Sequence, residues 1–422
     1  MLDIDYVREH PDEVKRAAEV KGFDVDVDRL LEVDERRREL IHRTEEIRQR
    51  RNEVADEIPK ADDDERDELI EEGRRLKEEL RDLEEDLDSY LEEFETLMLR
   101  MPNVPLDDVP VGEEEADNEP IRHYGEPPSF DFEPKDHEEL GAELGIIDKE
   151  RAIKFAGSRS YLLKGDGARL ESAVLRLAFD MLVEEGFEPV TGPLMVNEEA
   201  MRGTGWFPYQ RENAYYLERD DKYLVGTSEV YLVSTRRDEI LDPDELPIKM
   251  AARSPCFRRE AGSAGRDVRG VYRVHQFSKV EQAVICRDDA DISREFHETI
   301  LGNAESLMQT LELPHRVSIA CSGVTGLGQV FKNEIETWMP SRDSYCETHS
   351  CSSLRGFQAR RSNIRYRDED GGTRHCYTLN NTMIASPRIL IPLLEVNQNP
   401  DGSVDIPEVL QPYMGGRERL TP

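Results

Sequence analysis

The chain has 422 residues with 92 acidic and 56 basic side chains, which gives a formal net charge of −36. This length predicts two domains, one of them with a sizeable core, and excludes a single small module. No stretch approaches 18 consecutive apolar residues, so we expect no membrane span. The first 20 residues lack a signal-peptide pattern and the six cysteines fit a reducing compartment, so we expect a cytoplasmic protein.

Residues 1–100 predict a pair of long helices. Side chains at alternating spacings of three and four residues form two mainly apolar seams, at 30–58 and 69–97, and this pattern is typical of a coiled coil. Between the seams Pro59 breaks the helix, and Asp62–Asp64 offer N-caps for the second one. The simplest structure that pairs the two seams across this short break is an antiparallel helical hairpin.

These patterns predict an α+β protein with an amino-terminal helical arm. The arm covers about residues 27–98 within a first domain at 1–107. A segment rich in Pro, Gly and acidic residues follows at 108–134 and is interpreted as a linker. The second domain, 135–422, mixes helix and strand patterns in a way that favours antiparallel hairpins flanked by helices.

Within the second domain we expect three strands and three helices. The strands are predicted at 223–229, 248–258 and 271–286, and the helices at 168–185, 291–311 and 387–397. Neither G-x-x-x-x-G-K-S/T nor G-x-G-x-x-G occurs in the sequence. A nucleotide would therefore not be held by either of those two phosphate-binding loops.

The most informative stretch runs from Pro255 to Glu281 and contains a Gly-rich loop, AGSAGRDVRGV. If 273–281 is a strand, its period of two places Arg273, His275, Phe277 and Glu281 on one face. Arg258 and Glu260 share a face of the preceding strand by the same rule. Arginine suits phosphate or carboxylate contacts, but a solvated hairpin with ordinary cross-strand ion pairs has the same pattern.

This stretch also carries a family resemblance. The sequence Phe257-Arg258-Arg259-Glu260 resembles the second signature motif of class II aminoacyl-tRNA synthetases, and the longer AGSAGRDVRGVYRVHQFSKVEQ resembles that of seryl-tRNA synthetases. Residues 186–195 resemble the first motif, whose proline lies in the dimer interface, and Arg388 with ILIPLLE resembles the third. The carboxyl-terminal DGSVDIPEVLQPYMGG and the helical hairpin are also similar to that family, so the resemblance covers nearly the whole chain.

The resemblance implies ATP-dependent attachment of L-serine to tRNA(Ser) through a seryl-adenylate, by a homodimer that uses ATP and Mg²⁺. Whether tRNA(Sec) is also a substrate stays open. The implied catalytic residues are Arg258, Glu260 and Arg388. The implied serine-binding residues are Thr227, Ser228, Glu229, Arg258, Glu281 and Thr382. The implied ATP-binding residues are Arg258, Arg259, Glu260, Arg273, Val274, His275, Gln276, Phe277, Glu347, Thr348, His349, Ser350 and Arg388. The implied metal-binding residues are Glu347 and Ser350.

Two local features refine these expectations. The segment before Arg388 lacks the glycines that the family's third motif often carries, and we expect Ser386 to be the N-cap of a helix that begins at Pro387. A rival interpretation of 346–376 is a zinc site built from Cys346, His349, Cys351, His375 and Cys376. Adjacent residues of a strand point to opposite faces, however, so His375 and Cys376 would not readily share one ion.

Two other functional classes share this fold resemblance. One is a ligase that loads an amino acid onto a carrier protein, and the other is a non-catalytic dimeric scaffold. The long arm argues against the first, because such ligases need no tRNA-reaching hairpin. The retained Arg258, Glu260, Glu281 and Arg388 argue against the second.

Charge is distributed unevenly along the arm. Residues 36–51 hold seven arginines and three glutamates, although residues 1–100 are acidic overall. We expect Arg36, Arg43 and Arg50, at seven-residue spacing, to contact tRNA phosphates. The alternative is pairing with acidic residues of the partner helix such as Glu72, Glu78, Glu79 and Glu85. The 44 arginines, 12 lysines and dispersed acids also resemble proteins from organisms with a highly saline cytoplasm.

Overall fold

The computed structural model describes residues 1–261 and 270–422, so residues 262–269 of the Gly-rich loop lie outside the described part. The chain divides into two compact units. One comprises residues 2–19 and 23–102, and the other comprises residues 1, 20–22 and 103–422. In the described part no helix is both long enough and apolar enough to cross a lipid bilayer. The domain boundaries at 107 and 134 stay predictions.

The smaller unit is built largely from four helices. They are α1 (Ile4–Glu9), α2 (Pro11–Val20), α3 (Val27–Glu57) and α4 (Asp63–Arg100). A short 3₁₀ turn at Ile58–Lys60 separates α3 from α4, and the Asp62 side chain accepts a hydrogen bond from the Glu65 amide as N-cap. The predicted hairpin, the break at Pro59 and the Asp62 cap are confirmed.

The two predicted seams are the faces on which α3 and α4 pack together. Every seam position is buried or half-buried, and Leu30, Leu40, Leu76 and Leu80 are among the buried ones. The polar seam residue Arg37 has a local reason to be there, because its guanidinium lies 4.3 Å from the centre of the Phe94 ring and donates to Asp34. Among the described residues the Thr44 hydroxyl has no hydrogen-bond partner, so this seam position stabilises the hairpin less than an apolar one would.

The larger unit contains eight further helices and sixteen strands among its described residues. The helices are α5 (His137–Glu143), α6 (Lys149–Ala156), α7 (Asp166–Glu184), α8 (Glu198–Gly203), α9 (Glu229–Ser234), α10 (Ala290–Thr310), α11 (Phe357–Ser362) and α12 (Leu390–Val396). The strands are β1 (Glu119–Tyr124), β2 (Glu188–Pro189), β3 (Met195–Val196), β4 (Tyr215–Leu217), β5 (Lys222–Leu224), β6 (Ile240–Leu241), β7 (Ile248–Phe257), β8 (Gln276–Cys286), β9 (His315–Ile319), β10 (Phe331–Met339), β11 (Ser344–Arg355), β12 (Arg365–Arg367), β13 (Thr373–His375), β14 (Tyr377–Ser386), β15 (Val404–Asp405) and β16 (Arg419–Leu420).

An eight-stranded sheet forms the centre of this unit. Its strand order is β1-β9-β10-β11-β14-β8-β7-β2, and all neighbours are antiparallel except the β2–β7 pair. Helices α7 and α10 cover it through an apolar core that includes Leu175, Leu182, Ile300 and Leu307, with Val284 of β8 beneath them. The α+β class with an antiparallel sheet and flanking helices is confirmed.

Four predicted features need correction, and the helix expected at 387–397 is corrected with the site below. The strand expected at 248–258 ends at Phe257, so Arg258 and Glu260 lie beyond it rather than on its face. The strand expected at 223–229 ends at Leu224, and Glu229 instead begins helix α9. The strand expected from 271 begins at Gln276, so Arg273 and His275 lie before it rather than on its face. The segment 108–134, interpreted as a linker, contributes β1, which pairs with β9 at the edge of the main sheet.

Candidate active site

A cavity of about 500 Å³ opens in the larger unit on the polar surface of β8, β11 and β14. Fourteen of the residues expected to bind ATP, serine or metal lie in its wall: Thr227, Glu229, Arg258, Glu260, Arg273, Val274, Phe277, Glu281, Glu347, Thr348, His349, Ser350, Thr382 and Arg388. They come from segments more than 150 residues apart in the sequence. The antiparallel sheet is what brings them together.

Four expected residues are not among the described residues of this wall: Ser228, Arg259, His275 and Gln276. The ring of His275 bonds through Nδ1 to the main-chain oxygen of Arg258 at 3.1 Å, and the His275 oxygen accepts from the Arg258 amide at 2.9 Å. His275 therefore fixes the main chain at Arg258 instead of facing the cavity. Ser228 is completely buried at the start of α9.

The Arg258 side chain is held by the main-chain oxygen of Gly226 and by two aromatic rings. Its Nε donates to the Gly226 oxygen at 3.3 Å, and its guanidinium carbon lies 5.1 Å from the centre of the Phe277 ring and 5.8 Å from that of Trp206. These contacts leave guanidinium N–H groups available toward the cavity. A guanidinium pre-positioned in this way suits a carboxylate and a phosphate that meet in front of it.

Arg388 is a second arginine of the cavity wall. Its Nε donates to the Tyr272 oxygen at 3.2 Å, one terminal nitrogen donates to the Glu347 oxygen at 2.9 Å, and its guanidinium carbon lies 4.2 Å from the centre of the Tyr272 ring. The expected helix start is wrong here: Ser386 ends strand β14, and its hydroxyl donates to Glu171 at 2.9 Å. Helix α12 begins at Leu390, because β14 extends further than its local sequence indicates.

A polar corner lies where β8 and β14 run side by side. Glu281 of β8 is directly opposite Thr382 of β14, it forms a buried ion pair with Lys279, and it accepts from the Thr227 hydroxyl at 3.2 Å. Phe277, Lys279 and Glu281 share a face by the strand period of two, as expected for Phe277 and Glu281. The corner presents a carboxylate and two hydroxyl groups to any small ligand in the cavity.

Glu229 lies next to this corner and is held by two amides. Its carboxylate accepts from Gln358 at 2.6 Å and from Asn380 at 2.8 Å. Burial, followed by the negative charge of Glu281, raises the pKa of Glu229 to about 7. The carboxyl group therefore changes charge near neutral pH, where a nearby ammonium group would favour its ionised form.

A β-bulge explains how Glu347 and Ser350 reach the same cavity although they are three residues apart. Ser350 pairs with Glu334 and Glu347 pairs with Glu336, because the register between β10 and β11 shifts at Thr348. The extra residue reverses the alternation, so that Glu347 and Ser350 lie on one face of β11. Without the bulge their side chains would point to opposite faces.

These two side chains fit the hard oxygen donors that Mg²⁺ prefers. Burial raises the pKa of Glu347, but the positive charges of Lys332, Arg388 and Arg258 outweigh this effect and hold the pKa below its ordinary value. The carboxylate is therefore ionised at neutral pH. Among the described residues, His, Cys, Asp and Glu side chains form no group of three or more that is arranged to hold a metal ion. The geometry gives no support to a zinc site at 346–376.

Sequence reasoning missed five wall residues whose contacts matter: Trp206, Tyr272, Lys279, Lys332 and Asn380. Lys279 has a signal in the sequence, since it lies between Phe277 and Glu281 at the strand period of two. Tyr272 adjoins Arg273, one of the implied ATP-binding residues. The other three come from segments with no recognised motif, and only the folded sheet brings them to the cavity.

Comparisons with known proteins agree with this geometry. Residues 1–105 match the seryl-tRNA synthetase N-terminal domain, and residues 212–397 match the tRNA synthetase class II core domain (G, H, P, S and T). The serine–tRNA ligase of Deinococcus radiodurans is 49% identical over 420 residues, covering 100% of this chain and 99% of that protein. The chain belongs to the seryl-tRNA synthetase family. The serine–tRNA ligase of Bacillus subtilis is 46% identical, with full coverage of both chains.

Solved structures of this family have the same fold. The crystal structure of seryl-tRNA synthetase from Pyrococcus horikoshii complexed with ATP is 37% identical, with a TM-score of 0.93 and coverage of 100% of both chains. The cytoplasmic serine–tRNA ligase of Naegleria fowleri in complex with AMP is 31% identical, with a TM-score of 0.88 and coverage of 100% of this chain and 99% of that one. The family resemblance predicted from the motifs is confirmed.

Proposed function

We propose that this chain attaches L-serine to tRNA(Ser) in two steps, with seryl-adenylate as the intermediate. In the first step a serine carboxylate oxygen bonds to the α-phosphorus of ATP, the bond from that phosphorus to the bridging oxygen breaks, and pyrophosphate leaves. In the second step a terminal ribose hydroxyl of the tRNA bonds to the seryl carbonyl carbon, and AMP leaves. The observation that carries the proposal is one cavity that holds both Arg258 and the Glu281–Thr382 corner.

The arginines suit the first step. Negative charge builds up where the carboxylate meets the α-phosphate, and a fixed guanidinium stabilises that charge without reorganising. Arg258 is fixed by Gly226 and by the Phe277 ring, so we assign it this role. Arg273 and Arg388 bind the remaining phosphates, and Phe277 and Arg388 stack on the adenine from its two sides.

The polar corner suits serine among the amino acids. Glu281 binds the ammonium group, and Thr382, directly opposite it across the sheet, binds the side-chain hydroxyl. A corner built to bond a hydroxyl rejects alanine, because the polar groups of the protein would be left buried and unpaired. Glu229 adds a second carboxylate to the same corner, and Thr227 orients Glu281.

Mg²⁺ would be held by Glu347 and Ser350 together with phosphate oxygens of ATP. When bound it neutralises part of the phosphate charge. Glu347 then has a double role among the residues of this chain, because its carboxylate oxygen also lies 3.4 Å from the Arg388 guanidinium. The single carboxylate is enough in this setting, since Mg²⁺ in such sites takes most of its other ligands from the nucleotide and water.

The partners beyond tRNA(Ser) and serine belong to the same proposal. We expect a homodimer formed through the segment around Pro193, a cytoplasmic location, and tRNA contacts from Arg36, Arg43 and Arg50. Arg43 and Arg50 form ion pairs with Glu79 and Glu72, two of the acids named above as possible partners, and Arg36 pairs with Glu39. The Arg36 and Arg43 pairs are solvent-exposed, whereas the Arg50–Glu72 pair is partly buried. Exposed pairs are worth about 0–1 kcal/mol each, so phosphate groups can displace the carboxylates at Arg36 and Arg43 at small cost.

Charging assays with radiolabelled amino acids test the proposed function. The full-length protein at molar KCl should charge a tRNA(Ser) transcript with serine and not with alanine. A tRNA(Sec) transcript in the same assay decides whether that tRNA is also a substrate. Transfer of serine to a carrier protein with its prosthetic group, but not to tRNA(Ser), would instead identify the carrier-protein ligase, and no transfer to either would identify a scaffold.

A further inference from the structure

A buried carboxylate, Glu395 of α12, forms an unusual cluster outside the cavity. It is fully buried and accepts four hydrogen bonds. The amide and the ring Nδ1 of His137 donate to Oε1 at 3.0 Å and 2.7 Å. The Ser341 hydroxyl donates to Oε1 at 2.8 Å, and the Ser341 amide donates to Oε2 at 2.9 Å. None of these three residues lies among the described residues of the cavity wall.

The other side of the His137 ring contacts the main chain that returns from the Gly-rich loop. The Val271 amide donates to Nε2 at 3.3 Å. Nε2 must be unprotonated to accept this bond, so the proton of the neutral ring lies on Nδ1 and is donated to Glu395. A Cβ atom built on Gly270, whose φ is +70°, would overlap the His137 ring. The main chain at Gly270 and Val271 is therefore packed against the ring as well as bonded to it.

The residue after Val271 is Tyr272, which organises two arginines. The guanidinium carbons of Arg388 and Arg342 lie 4.2 Å and 4.1 Å from the centre of its ring. Arg342 follows Ser341 directly, and the Arg388 Nε donates to the Tyr272 main-chain oxygen. Glu395 is thus connected to two members of this group. It is linked through Ser341 to Arg342, and through His137 and Val271 to Tyr272.

We propose that Glu395 and His137 are positioning residues for the ATP-binding wall. They hold the stem of the loop at Val271, and through Tyr272 they set the place of Arg388. This inference rests on the proposed function, in which Arg388 binds ATP. Substitutions at Glu395 and His137 should leave serine binding at the Glu281 corner unchanged, because the corner is built from β8, β14 and the segment at 227.

A carboxylate is required at 395 for a geometric reason. Each of its two oxygens accepts from a main-chain amide, one from His137 and the other from Ser341. In the isosteric variant Glu395→Gln, one of the two oxygens becomes an NH₂ group, so one amide must face another donor. If the NH₂ group faces His137, it also favours the ring tautomer with the proton on Nε2, which cannot accept from Val271.

The test measures serine-dependent ATP–pyrophosphate exchange and ATP binding by calorimetry. Misplacing a group of the site by about 1 Å can lower the reaction rate by roughly 100-fold. We therefore expect His137→Ala and Glu395→Gln to raise the KM and the Kd for ATP by about 10- to 100-fold. The KM for serine should change less than twofold. The affinity of the double variant for ATP should be no lower than that of the weaker single variant, because both substitutions break the same hydrogen-bonded cluster.

Two further variants keep the test decisive if a buried substitution destabilises the chain. Gly270→Ala pushes against the His137 ring from the loop and leaves α5 and α12 untouched, and it should raise the Kd for ATP in the same direction. Glu139→Ala removes the hydrogen bond that the Glu139 carboxylate accepts from the Asp136 amide at the start of the helix that contains His137, and it should change neither the KM nor the Kd for ATP.

Each of three results would overturn the proposal. The first is a parallel rise in the KM for ATP and the KM for serine, and the second is additive losses of ATP affinity in the double variant. The third is an unchanged Kd for ATP in Gly270→Ala. Absence of exchange in the unaltered protein would instead contradict the proposed function. ATP binding by calorimetry needs no serine and no turnover, so it tests the positioning role separately.

Discussion

The arm and the cavity use arginine in opposite ways. On the arm, Arg36, Arg43 and Arg50 are 48%, 60% and 42% exposed and pair with carboxylates at 2.7–2.9 Å, all of them on the arm surface and one of them, Glu72, half-buried. In the cavity, Arg388 is 25% exposed and is bonded to main-chain oxygens and stacked on Tyr272. Arm arginines are therefore held by replaceable partners, whereas cavity arginines are held by the fold itself.

This difference predicts how substitutions and salt affect each of the two regions. Exposed pairs contribute about 0–1 kcal/mol and are screened at high salt, so a charged surface of this kind can exchange carboxylates for phosphates. Guanidinium groups fixed by carbonyls and rings are little affected by salt and keep their geometry for one reaction. Substitutions in the two regions should consequently separate tRNA binding from serine activation.

The largest effect is expected for Arg258→Gln. Removing a pre-positioned electrostatic donor costs about 10²–10³-fold in kcat, and we expect this loss in ATP–pyrophosphate exchange. The adjacent Arg259→Gln is a matched control, because Arg259 is not among the described residues of the cavity wall, and its loss should be much smaller. Equal losses in the two variants would contradict the assignment of Arg258.

Glu281→Gln should weaken serine binding more than ATP binding. Removing one charge of a buried charged contact costs about 2–5 kcal/mol. The expected partner in the complex is the serine ammonium group, and the variant also leaves Lys279 without its buried ion-pair partner. Steady-state exchange kinetics should show a raised KM for serine with the KM for ATP nearly unchanged. Glu336→Gln, a buried carboxylate paired with Arg316 outside the described cavity wall, serves as control. A rise confined to the KM for ATP would refute the role.

The pKa of Glu229, raised to about 7, predicts a pH dependence. Below pH 7 the carboxyl group is protonated and neutral, and above pH 7 it is ionised and attracts the serine ammonium group. The kcat/KM for serine should therefore rise as the pH increases through about 7 and then level off. In Glu229→Gln the side chain stays neutral, so this step should disappear. Persistence of the step in the variant would assign it to another group.

The smallest catalytic effect is expected from the arm. The triple variant Arg36→Gln, Arg43→Gln and Arg50→Gln should lower the kcat/KM for tRNA charging several-fold and leave ATP–pyrophosphate exchange unchanged. The salt slope of tRNA affinity should fall by about 1 for each arginine–phosphate pair that the substitutions remove. The same change at Arg66, Arg74 and Arg81 of α4 is the matched control. Unaltered charging in the α3 variant, with circular dichroism showing an intact hairpin, would mean that RNA binds elsewhere on the protein.

The sequence predicted the arm well because its determinants are local. Two heptad seams, one proline and one aspartate cap define α3 and α4 to within a few residues, and helix α10 was likewise predicted to within one residue at each end. Such patterns depend on neighbours three and four positions away. No distant segment had to be known in order to interpret them.

The sheet was harder to predict because its strands carry the cavity. The sequence of β11 is SYCETHSCSSLR, and several of its polar side chains line the cavity. A bulge at Thr348 reverses the alternation of its side chains between the two faces of the sheet. β14 likewise shifts register between Thr382 and Ile384. Both features hide the period of two that identifies a strand. The motif resemblance found most of the wall residues, but the partners of those residues, such as Gln358 behind Glu229, needed the fold.

Formation of the adenylate in the absence of tRNA tests the central claim most directly, namely that the cavity alone selects and activates serine. The measurement is mass-spectrometric detection of enzyme-bound aminoacyl-adenylate after mixing the full-length protein with ATP, Mg²⁺ and one amino acid at molar KCl. We predict about one seryl-adenylate for each competent cavity with serine, and at least a hundredfold less product with alanine, because binding sites built for a hydroxyl discriminate by roughly 10⁴–10⁵. Equal yields with serine and alanine, or no adenylate until tRNA is added, would contradict the account.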